Sequence, residues 1–152
     1  MTVNTTVLTT AHAAVVGSIP PRSHGPGASS CTWVNMSTFA AIQAVVSTGL
    51  LSVGATVSAK LEQAKDAAGT GAKDITGKAI TPLTEAGDDD NVQAAINCRA
   101  ADLDVNGGFT HARLTVTSAG ADANTTALVF GFAPRYGTAA DNKAASLVEI
   151  VP

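Results

Sequence analysis

The segment AGTGAKDITGK, residues 68–78, places Gly69, Gly71 and Gly77 beside Lys73 and Lys78, the residue types from which phosphate-binding loops are made. A Walker loop needs four residues between its glycines and a Gly-Lys-Ser/Thr ending that opens a helix. Here Gly77-Lys78 is followed by Ala79 and an apolar run, so the spacing predicts a turn between two strands. EAGDDDN sets Asp88, Asp89 and Asp90 side by side, a concentration of hard oxygen ligands. A calcium loop alternates its ligands and carries Gly at its sixth position and Glu at its twelfth, so this run reads as a solvated turn.

The remaining chemistry-bearing residues are sparse. His12, His24 and His111 lie far apart, with no His-x-x-x-His or Cys-x-x-Cys pair for a metal. No Gly-x-Ser-x-Gly elbow presents a nucleophilic serine. Cys31 and Cys98 form an even pair with two readings: buried free thiols, or a disulfide closed in an oxidising setting. Trp33 is the single tryptophan and reads as a large core anchor plugging one end of the fold. No catalytic, cofactor-binding or metal-ligating residue is assigned, and no enzyme activity is expected.

The elements that carry these residues are predominantly strands. Only 14% of residues are charged and 4% aromatic, and 152 residues suit one domain with a real core. In ATVSAKLEQA, Val57, Ala59 and Leu61 share one face while Lys60 and Glu62 share the other, a half-buried strand. STFAAIQAVVSTG and DNVQAAINCRAA contain helix-forming Ala and Gln. The β-branched run Val45-Val46-Ser47-Thr48 in the first and the period-two alternation of the second assign both to strands. Asn106-Gly107-Gly108 predicts a hairpin between Leu103–Val105 and Phe109–Thr117. ALVFGFA is a candidate central strand and ASLVEIV a candidate closing strand. The expected fold is an all-β antiparallel sandwich or jelly roll over residues 30–152.

Residues 1–29 read differently. Pro20, Pro21 and Pro26 in SIPPRSHGPGASS deny backbone donors and predict an N-terminal arm and linker. An apolar arm of this kind needs a surface to lie on, its own domain's or a neighbour's. The formal net charge of −3, without clustered Lys or Arg, argues against nucleic acid as a partner. No apolar run approaches the roughly 20 residues that span a bilayer. The opening MTVNTTVLTTAHAAVV lacks a basic start and a clean apolar stretch, so export by a cleaved signal is not expected. The acceptor patterns at Asn4, Asn35 and Asn124 are accordingly read as coincidences of a Thr-rich sequence.

Across residues 30–139 the succession CTWVNMSTF, then AVVSTGLLSVGATVSAKLEQAKDAAGTGAKDITGKAITPLT, then NVQAAINCRAADLDVNGGFTHARLTVT, ending in ALVFGFAPRYGTA, resembles small virion proteins encoded among the head genes of tailed bacteriophages and prophages. Trp33, Met36, Ser37, Gly77 to Thr81, Asp102 to Phe109 and Arg135 to Gly137 carry the resemblance. It implies a non-enzymatic capsid decoration or cement protein, made in the host cytoplasm and carried on the outer surface of the virion. Its implied partners are the major capsid protein and further copies of itself, with a trimer as the natural arrangement. A glycan- or receptor-binding surface module and a tail or head-tail connector component are the competing readings.

Overall fold

The computed structural model describes residues 7–151. A short 3-10 turn at Thr9–Ala11 precedes ten strands: β1 (Ala13–His24), β2 (Gly27–Ser30), β3 (Val34–Asn35), β4 (Phe39–Leu51), β5 (Thr56–Ala64), β6 (Lys73–Ala79), β7 (Leu83–Thr84), β8 (Gln93–Arg99), β9 (His111–Ala119) and β10 (Ala123–Pro134). They form two antiparallel sheets, ordered β1-β10-β4-β8 and β2-β9-β5-β6. Two-residue β3 adds to β9, and β7 adds to β5.

The strand order is that of a jelly roll. Setting aside β3 and β7, the first strand pairs with the last, the second with the last but one, the third with the sixth and the fourth with the fifth. The chain is thus a long hairpin rolled up, and the β10–β4 and β9–β5 pairings close the roll. The protein is all-β, as the alternating sequence predicts.

Period-two alternation decides which side chains enter the core. Val57, Ala59 and Leu61 of β5 face Ile42, Ala44 and Val46 of β4 across the interior, with Leu114, Val116, Val129 and Ile96 completing the cluster. Phe39 is its one fully buried aromatic residue. The neighbouring strand makes room for it with Gly131: a Cβ there would lie 2.8 Å from three carbons of the Phe39 ring.

Three expectations require correction. Of residues 1–29, read as arm and linker, 13–24 form β1 and 27–29 lie in β2 of the sandwich itself. Ala14, Val16 and Ile19 bury one side of β1. Pro20 and Pro21 are tolerated because β1 is an edge strand, and they fall where its pairing with β10 shifts between Ile19 and Arg22. Residues 1–6 of the expected arm, including Asn4, lie outside the described residues.

The expected hairpin at Asn106-Gly107-Gly108 does not form, because β8 and β9 belong to opposite sheets. The connection is a crossing loop that begins with a 3-10 turn at Ala100–Asp102, and Asp104 accepts the Gly107 N–H at 2.9 Å. Nor is ASLVEIV a strand. The chain leaves β10, makes a 3-10 turn at Ala139–Asn142, and runs beside β1, where the Ala144 N–H donates to the Val15 carbonyl at 2.7 Å.

Candidate functional site

The two outer faces of the sandwich differ sharply. On β1-β10-β4-β8, alternation along β10 turns Leu128, Phe130 and Phe132 outward. Leu128 and Phe132 remain 40% and 36% exposed, and the rings of Phe130 and Phe132 are 6.3 Å apart. The register fixes their neighbours: Val45 and Ser18 flank Leu128, Gln43 and Val15 flank Phe130, and Ala41 and Ala13 flank Phe132. Beyond β4, Ala95 and Asn97 of β8 continue the rows of Val45 and Gln43. Polar groups here are amides and hydroxyls that bond one another, Gln43 Nε2 to Asn97 Oδ1 at 3.0 Å and Gln93 Nε2 to Ser47 Oγ at 3.3 Å.

Among the described residues, the charges of this face sit at its margins: Arg99 at one corner, tied to Asp102 at 3.1 Å, and exposed Arg22 of β1, which lines a groove with Ser47, Asn124 and Thr126. Four strands about 4.8 Å apart and some seven residues long give a face of about 450 Å², with Leu128, Phe130, Phe132, Val45 and Val15 at its apolar centre and Ser18, Gln43, Ser47 and Asn97 around them. The chain after β10 borders it. Ser146 Oγ lies 3.2 Å from Ser18 Oγ, and a groove of about 380 Å³ opens between Val15, Pro20, Pro21, Leu128 and Leu147.

The outer face of β2-β9-β5-β6 is instead a closed set of ion pairs. Glu62 Oε2 accepts from Arg113 Nε at 2.9 Å and from Thr115 Oγ1 at 2.7 Å, and Lys60 bridges Glu62 and Asp74 at 3.6 and 2.7 Å. Burial alone would raise the Glu62 pKa, but the Thr115 hydroxyl and the Arg113 guanidinium outweigh it and hold it below its ordinary value. One face satisfies itself. The other presents an apolar centre with its charges, Arg99 and Arg22, at the margins.

Each residue singled out in the sequence now has a place. In the glycine-bearing turn between β5 and β6, Asp66 Oδ1 accepts the Ala68 and Thr70 N–H groups, both at 3.0 Å. Gly69 sits at φ +85, with Trp33 Nε1 2.9 Å from where a Cβ would be. Lys73 and Lys78 point to Asp104 and Asp102 at 2.7 and 2.9 Å, so no cationic cradle forms. In the acidic run, Asp89 accepts the Thr84 N–H and Asp90 the Leu51 N–H, each at 2.8 Å. These two carboxylates pin neighbouring strands.

His24 is buried at the β1–β2 corner, its Nε2 3.1 Å from the Pro20 carbonyl and its Nδ1 3.2 Å from Ser29 Oγ. His111 Nδ1 lies 2.9 Å from Thr110 Oγ1, and His12 is exposed. Among the described residues, no group of three His, Cys, Asp or Glu is arranged to hold a metal ion.

Cys31 and Cys98 are both buried free thiols. Burial pushes the Cys31 thiol up against the opposing pull of the Leu114 N–H. It pushes Cys98 to about 11, with the Asp102 charge adding to the effect. Trp33 is not the core anchor expected. It is half-buried outside the core cluster, with the Arg113 guanidinium 4.4 Å from its ring centroid. Its large ring covers the charged outer sheet, and Phe39 takes the interior position instead.

Three segments that carry the sequence resemblance converge in space. Met36 and Ser37, then Leu103, Val105 and Phe109, and then Arg135 and Tyr136 line one cavity of about 330 Å³ at the end of the sandwich where β4 begins.

The chain matches no family model and no curated protein. Solved structures with a similar chain trace include a chain of Broad Bean Stain Virus at 11% identity, covering 83% of this chain and 90% of that one with a TM-score of 0.48. A chain of the Cowpea Mosaic Virus empty virus-like particle is also 11% identical, covering 84% and 82%, with a TM-score of 0.45. A chain of infectious bursal disease virus, Gx strain, is 9% identical, and the match covers 84% of this chain but 33% of that one, with a TM-score of 0.43. Identities and scores this low carry no argument about function. The jelly-roll assignment rests on the strand order of this chain.

Proposed function

We propose that this protein is a non-enzymatic structural component of a bacteriophage virion, a capsid decoration or cement protein that binds the major capsid protein on the outside of the head. The observation that carries the reading is the outer face of β1-β10-β4-β8, where Leu128, Phe130, Phe132, Val45 and Val15 form an apolar centre and the charges, Arg99 and Arg22, stand at the margins. Such a face buried against a shell stabilises the assembled state, because binding the folded, assembled form and nothing else shifts the equilibrium toward it. The phage address comes from the sequence resemblance alone.

The reading requires many copies per particle. Quantitative mass spectrometry of purified virions should find this chain in an amount comparable with the major capsid protein, and heads stripped of it should rupture at a lower temperature. Recovery in a few copies, or labelling only at the tail, contradicts a cement role and favours a connector or tail component.

A further inference from the structure

The sandwich has four sheet edges, and the chain disrupts three of them. The β1 edge carries Pro20 and Pro21 and two register shifts, and the segment around Ala144 lies against it. The β2–β3 edge is broken into a four-residue and a two-residue piece. The β6–β7 edge has a register shift, a glycine at φ +75 in Gly77, Pro82 between its two pieces, and Lys73 and Lys78. These are the devices that stop one sheet from pairing with another.

β8 has none of them. Gln93–Arg99 runs in unbroken register with β4, from Ser47↔Gln93 to Ala41↔Arg99, and contains no proline, glycine, lysine or acidic residue. The phase of its ladder is set by the Thr48 N–H, which donates to the Val92 carbonyl at 3.0 Å. By the alternation of an antiparallel pair, Ala94, Ile96 and Cys98 then bond to β4, while the backbone groups of Gln93, Ala95, Asn97 and Arg99 point away from the sheet. The Arg99 N–H confirms the phase, since Asp102 takes it at 2.9 Å. Gln93, Ala95 and Asn97 are themselves exposed.

We infer that β8 is a pairing edge whose partner is the β8 of a second copy, joined antiparallel about a two-fold axis. Two features select a second copy. The side chains beside the free groups, Gln93, Ala95 and Asn97, are uncharged, so a strand can lie opposite itself without repulsion, and amides both donate and accept. The pairing also joins the two β1-β10-β4-β8 sheets into one continuous sheet of eight strands. This inference holds with or without a virion role, because it concerns the free protein in solution.

The test is sedimentation equilibrium of the full chain over a concentration series, with Ala95→Pro and Asn97→Lys as variants. Ala95→Pro removes an outward N–H and leaves the β4 ladder intact. Asn97→Lys puts a charge on the edge. Wild type should form a dimer, and both variants should weaken it by about tenfold or more, with the melting temperature of the monomer unchanged. Amide exchange at Ala95 and Asn97 should slow as the wild-type dimer forms. A chain that stays monomeric at every concentration, or an oligomer indifferent to both variants with those amides unprotected, overturns the inference. If Ala95→Pro fails to fold, Asn97→Lys and the exchange data decide alone.

Discussion

The backbone N–H of Arg99 donates to the Asp102 carboxylate at 2.9 Å, and in the same turn the Arg99 guanidinium reaches back to Asp102 at 3.1 Å. This closes the end of β8 and starts the crossing loop to β9. Lys78 of β6 adds its ammonium to the same carboxylate at 2.9 Å, so one aspartate joins the margins of both sheets.

Acid should loosen this junction. The Arg99 N–H, followed by Lys78, holds the Asp102 pKa down at about 2. A carboxylate with a folded pKa below its unfolded one contributes stability that is full above the ordinary aspartate range. That contribution is lost as pH falls through the folded value. The melting temperature should therefore drop between about pH 4 and about pH 2, and Asp102→Asn should flatten that part of the profile. Glu62, also held low, adds in the same direction. Identical acid profiles for wild type and Asp102→Asn count against the junction.

Gly131→Ala should destabilise the fold by about 1–3 kcal/mol, the range for an overpacked core. The added methyl group has no space, since its position lies 2.8 Å from the Phe39 ring, which is itself buried. Chemical denaturation measures the loss. In the double variant Gly131→Ala/Phe39→Leu, the cost of the alanine should shrink, because the ring it collides with is gone. An unchanged cost in both backgrounds contradicts the contact.

The thiols should be inert in the native protein. Cys31 and Cys98 are buried and free, and burial holds both mainly protonated at neutral pH, while attack requires the thiolate. Iodoacetamide should modify neither until denaturant is added. Electrophoresis of alkylated samples should show one mobility with and without reductant. A reductant-sensitive shift reveals a disulfide instead.

Much of this architecture is legible in the sequence, because alternation in β4, β5 and β8 marks the inward residues directly. β10 shows where that logic stops. Both of its faces are apolar, Ala127 and Val129 inward and Leu128, Phe130 and Phe132 outward. A strand written this way reads as covered on both sides, and sequence cannot say whether the second cover belongs to the same chain. The structure leaves that face bare, and this is the origin of the candidate site. Pro20 and Pro21 mislead for a related reason: a proline that ends a central strand is harmless on an edge, and edge position is a property of the whole sheet. Trp33 is large enough for the core, but its place is fixed by Arg113 and Gly69, partners distant in sequence.

The central claim is that the outer face of β1-β10-β4-β8 attaches this protein to a capsid, and co-sedimentation with heads stripped of it tests this most directly. Wild type should return to the heads at saturating stoichiometry. A folded Leu128→Glu/Phe132→Glu variant, with its core and melting temperature intact, should stay in the supernatant. If that variant binds the heads as well as wild type, the face is not the attachment surface and the account is contradicted.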